Sequence, residues 1–188
     1  MGGNLDNRRE YLAIGGLVIT TFIWGATFVL VKEALMGIGP FAFSAWRFLI
    51  AAVIGILVFS RHLDGINRFE FYTGMITGFF LFSGYGFQNF GLTITTASKS
   101  AFITSISIIM VPVLLLVFQR KKVQLRIWLS MILAIAGLFL VLDPGGGELN
   151  KGDLFTFGCA LSFALHIIVQ DRYARFNVNT YRFFIIQA

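Results

Sequence analysis

The sequence predicts an all-α integral membrane protein, a polytopic bundle of six complete transmembrane helices and a truncated seventh. Three observations carry this. The 188 residues are 57% apolar and only 13% charged, against about 25% charged in soluble domains. Long apolar runs follow one another with short polar breaks, and the basic residues gather on alternate breaks. With a mean hydropathy of +0.81, a chain this short has no interior large enough to hide its apolar surface from water. Its twenty Gly fit, because Gly is common in membrane helices.

A membrane helix needs roughly 17–25 apolar residues. The first run, Tyr11 to Val31, follows MGGNLDNRRE. It is longer than a signal-peptide core and no A-x-A-like cleavage site follows promptly, so it reads as a retained span. Asp6 stands where N-myristoylation prefers Ser or Thr. Thr20, Trp24, Thr27 and Val31 share one face of this helix.

The second run, Phe41 to Phe59, opens after Pro40 and contains a single charge, Arg47. Ser44, Arg47, Ala51 and Gly55 share a face. The third extends from Phe71 to about Leu92, with Gly74, Gly78, Leu81, Tyr85 and Gln88 aligned. Gly74 and Gly78 read as a close helix-packing surface. Tyr85, Gln88 and Asn89 are large and polar, and lipid offers them no partner, so they must face protein or water. A wet central cavity and plain helix packing both remain open for them, as for Trp24.

The fourth run, about Ala101 to Phe118, aligns Ser100, Thr104, Ser107 and Val111 and contains Pro112. Proline removes a backbone hydrogen bond, which predicts a kink. The fifth, Ile127 to Leu142, aligns Ser130, Ala134, Gly137 and Val141, a second small-residue packing stripe. The sixth, Leu154 to Val169, aligns Phe155, Cys159, Ser162 and His166. His166 reads either as a proton carrier or as a histidine satisfied by a neighbour. A seventh run opens at Tyr181 and stops at Ala188, too short to cross. The chain therefore reads as a fragment of a longer protein.

Orientation follows from Lys and Arg in the breaks. One side holds Arg8, Arg9, Arg61, Arg68, Arg120, Lys121, Lys122, Arg126, Arg172, Arg175 and Arg182, eleven in all; the other holds Lys32, Lys99 and Lys151. This bias predicts a cytoplasmic N-terminus. The longest break, DPGGGELNKGD at 143–153, is then outside. Arg47 lies six residues below Phe41 on a helix running inward, about 9 Å along its axis at 1.5 Å per residue. From the outer part of the bilayer its guanidinium can snorkel to headgroups or reach a wet vestibule. Its expected neighbours at that depth are Gln88 and Asn89.

Other classes are excluded by what the chain lacks. A lone cysteine, Cys159, allows no internal disulfide and no zinc site. There is no H-E-x-x-H, G-x-S-x-G, P-loop or Asp-rich pair, so no enzyme is expected, and no metal or other cofactor. All nine acids lie in breaks or at helix ends, so the spans hold no carboxylate relay. No basic tract is interleaved with aromatics, so no nucleic-acid partner is expected.

In order, IWGATFVLVKEAL, then Pro40 with FSAWRFLIAA, then GFQNFGLTITTASKSAFITSISIIMVPVLLLVF, GLFLVL and GDLFTFGCALSFALHIIVQDR resemble the EamA-type transporters of the drug/metabolite transporter superfamily. The resemblance runs along nearly the whole chain and rests on order and spacing rather than one decisive motif. It implies a ten-helix fold of two five-helix repeats, with the first repeat at 11–142, an external loop at 143–153 and the start of the second at 154–188. An odd number of spans per repeat puts the copies in opposite orientations, an arrangement shared by many carriers. Setting Phe163 against Trp24 puts His166 against Thr27 and Asp171 against Lys32. This echo is weak in letters, and the sixth span departs from the Trp-led pattern.

The resemblance implies a permease or exporter of a small metabolite, such as an amino acid, working by alternating access in the cytoplasmic membrane. It suggests Trp24, Arg47, Tyr85, Gln88 and Lys99 near the pathway, with His166 as a further candidate; the family has no shared catalytic set. Arg47 and Lys99 hint at an anionic group on the substrate, and the aromatic walls at an apolar moiety. The expected partners are the lipid bilayer and a small-molecule substrate, with a homodimer as the oligomeric option. The rival reading is a non-transporting accessory or sensory membrane protein, and a membrane enzyme comes third.

Overall fold

The computed structural model describes residues 3–62, 64–120, 123–142, 148–176 and 179–187. Lys121, Lys122, residues 143–147 and Ala188 lie outside them, although the orientation and domain expectations use them. Among the described residues the protein is all-helical, without strands. The helices are α1 (Gly3–Gly37), α2 (Pro40–Phe59), α3 (Arg68–Ile94), α4 (Ala97–Ser105), α5 (Ser107–Gln119), α6 (Leu125–Leu142), α7 (Lys151–Ala174) and α8 (Thr180–Gln187).

Local chemistry sets most of the helix starts. Pro40 opens α2, where a missing N–H leaves nothing unpaired. Asn67 and Glu70 close a reciprocal capping box at the start of α3, and Asn150 and Asp153 do the same for α7. The Thr96 hydroxyl accepts from the Lys99 amide to cap α4, and the Asn179 side chain accepts from Tyr181 and Arg182 to start α8.

Glu10–Gly37, Pro40–Phe59, Ala97–Phe118 and Lys151–Ala174 are long and apolar enough to cross a membrane. The 27-residue α3 has the length, but Thr73, Thr77, Gln88 and Asn89 on its buried side make it more polar. α6 is a shorter apolar helix. The fourth run begins earlier than its apolar letters suggest, at Ala97, and is two helices. The ladder breaks at Ile106, whose amide bonds back to the Ile103 carbonyl at 3.1 Å in a tighter turn. Pro112 lies buried within α5, downstream of that break.

The centre of the bundle is the antiparallel pair α3 and α7, which make the most extensive contact. Glycine lets them touch. A Cβ on Gly152 would sit 2.7 Å from the Thr95 amide and 2.8 Å from the Gly91 carbonyl oxygen; one on Gly84 would sit 2.5 Å from the Phe163 ring. α4 and α5 lie against α7, α1 and α2 flank α3, and α8 packs on α3. The stripe of α6 differs from expectation. Ser130, Ala134 and Gly137 are exposed, and nothing approaches a Gly137 Cβ within 4 Å. α6 instead buries Met131. Ser130 and Ala134 line an open groove with Ile108 of α5 rather than a close helix contact.

Candidate functional site

Three of the sequence candidates converge where α1, α2, α3 and α7 meet. α2 and α3 are antiparallel, so residues pair level by level. Asn89 donates to the Ser44 hydroxyl at 2.8 Å. One turn further into the bundle, the Arg47 guanidinium lies 3.8 Å from the centroid of the Tyr85 ring, a cation–π contact. Arg47 is thus one turn away from the level expected from depth alone, with Tyr85 as its partner. Among the described residues it makes no hydrogen bond or ion pair.

The ring beneath Arg47 continues into an aromatic chain. Tyr85 meets Phe48 at 5.9 Å and Phe163 at 5.2 Å, both edge-to-face, and Phe163 meets Trp24 at 6.1 Å. Gly84 allows this, because the Phe163 ring occupies the space its side chain would fill. Gln88 lies one turn along α3, 4% exposed, and its Nε2 has no hydrogen-bond partner. The Asn89 Oδ1 is also buried without one. A buried amide left unpaired in this way is uncommon and costs about 1–3 kcal/mol.

Lys99 lies elsewhere, at the end of α3 where α4 and α7 begin. Its ammonium is 3.6 Å from Asp153, both side chains under 10% exposed, and it donates to the Glu148 carbonyl at 3.0 Å. Thr95 donates its hydroxyl to Asp153. Lys32 from α1 donates to the Leu92 and Thr95 carbonyls at 3.0 and 2.6 Å, satisfying the end of α3. A largely apolar cavity of about 560 Å³ runs beside this cluster, past Phe102, Phe139 and Phe157.

The opposite end of the α3–α7 pair carries a second ion pair. Glu70 is 3.3 Å from Arg182 of α8 and accepts from the Asn179 amide at 3.1 Å. Arg182 also donates to the Gly65 carbonyl at 2.9 Å and to the Asp64 carbonyl. Gly65 has φ +80, a left-handed turn that suits glycine. Burial is the largest influence on Glu70 and opposes its charge. The amides of Asn179 and Asn67 and the Arg182 guanidinium outweigh it, and the carboxyl is held below its ordinary range. His166 lies nearer this end, 3.3 Å from the Gln187 side chain. Gly74 and Gly78 face α8: a Cβ on Gly74 would meet Ile186 at 2.5 Å, and one on Gly78 would meet the Gln187 backbone at 3.0 Å.

The structure therefore joins Trp24, Arg47 and Tyr85, puts Gln88 one turn from Tyr85 on α3 and His166 one turn from Phe163 on α7, and places Lys99 elsewhere. Sequence reasoning missed Phe163 as the link between Trp24 and Tyr85. It also missed Asp153 and Glu70 as buried partners of Lys99 and Arg182. The capping boxes Asn67–Glu70 and Asn150–Asp153 were readable as helix starts. The partner helices bringing the cations were not.

Residues 11–143 match the EamA-like transporter family. An uncharacterized transporter of Archaeoglobus fulgidus is 34% identical over 95% of this chain and 55% of its own length. The uncharacterized transporter YyaM of Bacillus subtilis is 25% identical over 88% of this chain and 56% of its own length. YoaV of Bacillus subtilis, also an uncharacterized transporter, is 25% identical over 80% of this chain and 52% of its own length. The chain thus spans about half the length of the curated relatives it matches. No solved structure matches.

Proposed function

The chain belongs to the EamA-like transporter family, and from that premise we propose that it forms part of a permease moving a small metabolite across the cytoplasmic membrane by alternating access. The observation that carries this reading is the unpaired Arg47 guanidinium stacked on Tyr85 within a bundle of membrane-length helices. A permanent charge at such a place is expensive and is characteristic of substrate pathways. Asp153–Lys99, which joins α7 to α4, and Glu70–Arg182, which joins α3 to α8, lie at opposite ends of the α3–α7 pair, which suits a pathway closed at alternate ends.

The inverted repeat belongs to this proposal. The alignment that sets Phe163 against Trp24 equates two residues whose rings are in edge contact at 6.1 Å. Elements related by a two-fold axis meet their own counterparts at that axis. The same offset carries Pro40, the first residue of α2, onto Asn179, which caps α8. The Lys/Arg bias puts the N-terminus in the cytoplasm, so Asp153–Lys99 would be the outer tie and Glu70–Arg182 the inner one. Six spans, α3 and α6 among them, complete the reading.

The test is flux. Purified protein in proteoliposomes should accelerate movement of at least one solute from a panel of amino acids, organic acids, amines and nucleosides, compared with empty vesicles. No acceleration for any solute, with stable capture of a second membrane protein, would favour the accessory role.

A further inference from the structure

The Arg47 guanidinium carries five donors in a planar fork. Its Tyr85 partner offers a ring face at 3.8 Å, which attracts the charge without accepting those hydrogens in its plane. No carboxylate of the described residues reaches it: Glu70 is held by Arg182 and backbone amides, and Asp153 by Lys99 and Thr95. One turn away on α3, the buried Nε2 of Gln88 is a further donor without a partner. From the Tyr85 ring under Arg47 the aromatic chain continues to Phe48 and, through Phe163, to Trp24. At Arg47 the surplus is of donors and of one positive charge beside flat apolar walls, while the buried Oδ1 of Asn89, the residue after Gln88, is an acceptor without a partner.

We propose that Arg47, with Gln88 as the second donor and the Tyr85–Phe163–Trp24 rings as walls, binds a small carboxylate that has a planar apolar body. This rests on the transport reading above and names the substrate class for its pathway. The carboxylate takes the guanidinium fork in the two-bond geometry that arginine provides and lysine does not. The ring body lies against the aromatic edges. A cationic solute meets Arg47 as a like charge and is rejected. An anionic lipid headgroup would present related chemistry to Arg47, so the experiment separates the two sources.

The probe is radiolabelled phenylacetate, measured by equilibrium binding to the purified chain in maltoside detergent, which contains no phosphate. Phenylacetamide and phenethylamine are the neutral and cationic counterparts. Saturable phenylacetate binding is expected, with neither counterpart competing. Arg47→Gln should weaken binding about 10- to 100-fold, Arg47→Lys should fall between, and Gln88→Leu should weaken it by a smaller factor. A second readout does not depend on a variant's folding: phenylglyoxal modification of Arg47, followed by peptide mass spectrometry, should slow when phenylacetate is present.

Absence of saturable binding, binding unchanged by Arg47→Gln, or unprotected Arg47 would overturn the proposal. So would protection of Arg47 by phosphatidylglycerol but not by phenylacetate, which would make it a headgroup anchor. Flux of an amine or neutral solute without phenylacetate binding would sink this inference and leave transport standing. Phenylacetate binding with no flux of any solute would do the reverse.

Discussion

The Arg47 guanidinium lies 3.8 Å above the centroid of the Tyr85 ring, joining α2 to α3 inside the bundle. The contact uses the ring face rather than the phenol hydroxyl. Tyr85→Phe should therefore leave thermal stability and flux close to wild type. Tyr85→Leu removes the ring and should lose about 0.5–2 kcal/mol, with reduced flux. Melting curves in detergent and vesicle uptake check both; equal loss in the two variants would mean that the hydroxyl matters instead.

Glu70 makes stability depend on acid. Its unfolded carboxyl titrates near 4.5 and its folded one lower. The unfolded chain thus binds the extra proton first. The contribution is full above the unfolded value and is lost as pH falls through the folded value. The melting temperature of the wild type should drop more between about pH 6 and pH 3 than that of Glu70→Gln. Parallel curves for the two proteins would remove Glu70 as the cause.

Lys99 and Asp153 are both buried, at 7% and 4% exposure. Lys99→Met strands a buried carboxylate and should cost about 3–5 kcal/mol. The double variant Lys99→Met, Asp153→Asn should recover a large part of that loss, because no uncompensated charge remains. A double-mutant cycle on chemical denaturation measures the coupling; simple additivity would contradict the pairing.

Two glycines test the packing of α3 on α7. In Gly152→Ala the new methyl would sit 2.7 Å from the Thr95 amide and 2.8 Å from the Gly91 oxygen, both backbone atoms. The helices must separate, and a loss of about 2–4 kcal/mol follows. Gly137→Ala on α6 meets nothing within 4 Å and should be neutral or stabilise by up to about 1 kcal/mol. The melting temperature should fall for Gly152→Ala and hold or rise for Gly137→Ala.

The contrast between those glycines shows what was legible in the sequence. Apolar runs mark membrane helices because lipid demands them, and the polar residues Trp24, Arg47 and Tyr85 stand out against that background. A small-residue stripe carries no address. Gly74 and Gly78 found α8 while Ser130, Ala134 and Gly137 found open space, with nothing local to distinguish them. The break at Ile106 has no glycine or proline of its own, and Pro112 pointed further down the chain. Asp153 stands three residues after Asn150, the spacing of a capping box; its second partner, Lys99, comes from another helix and becomes visible only in three dimensions.

The most direct test of a transport pathway at Arg47 compares solute uptake into proteoliposomes holding equal amounts of wild-type protein and Arg47→Gln, both monodisperse before reconstitution. The account predicts that wild type accelerates uptake of at least one small organic acid over empty vesicles, and that Arg47→Gln loses at least about 10-fold of that rate. Equal uptake by wild type, Arg47→Gln and empty vesicles across the solute panel would contradict it.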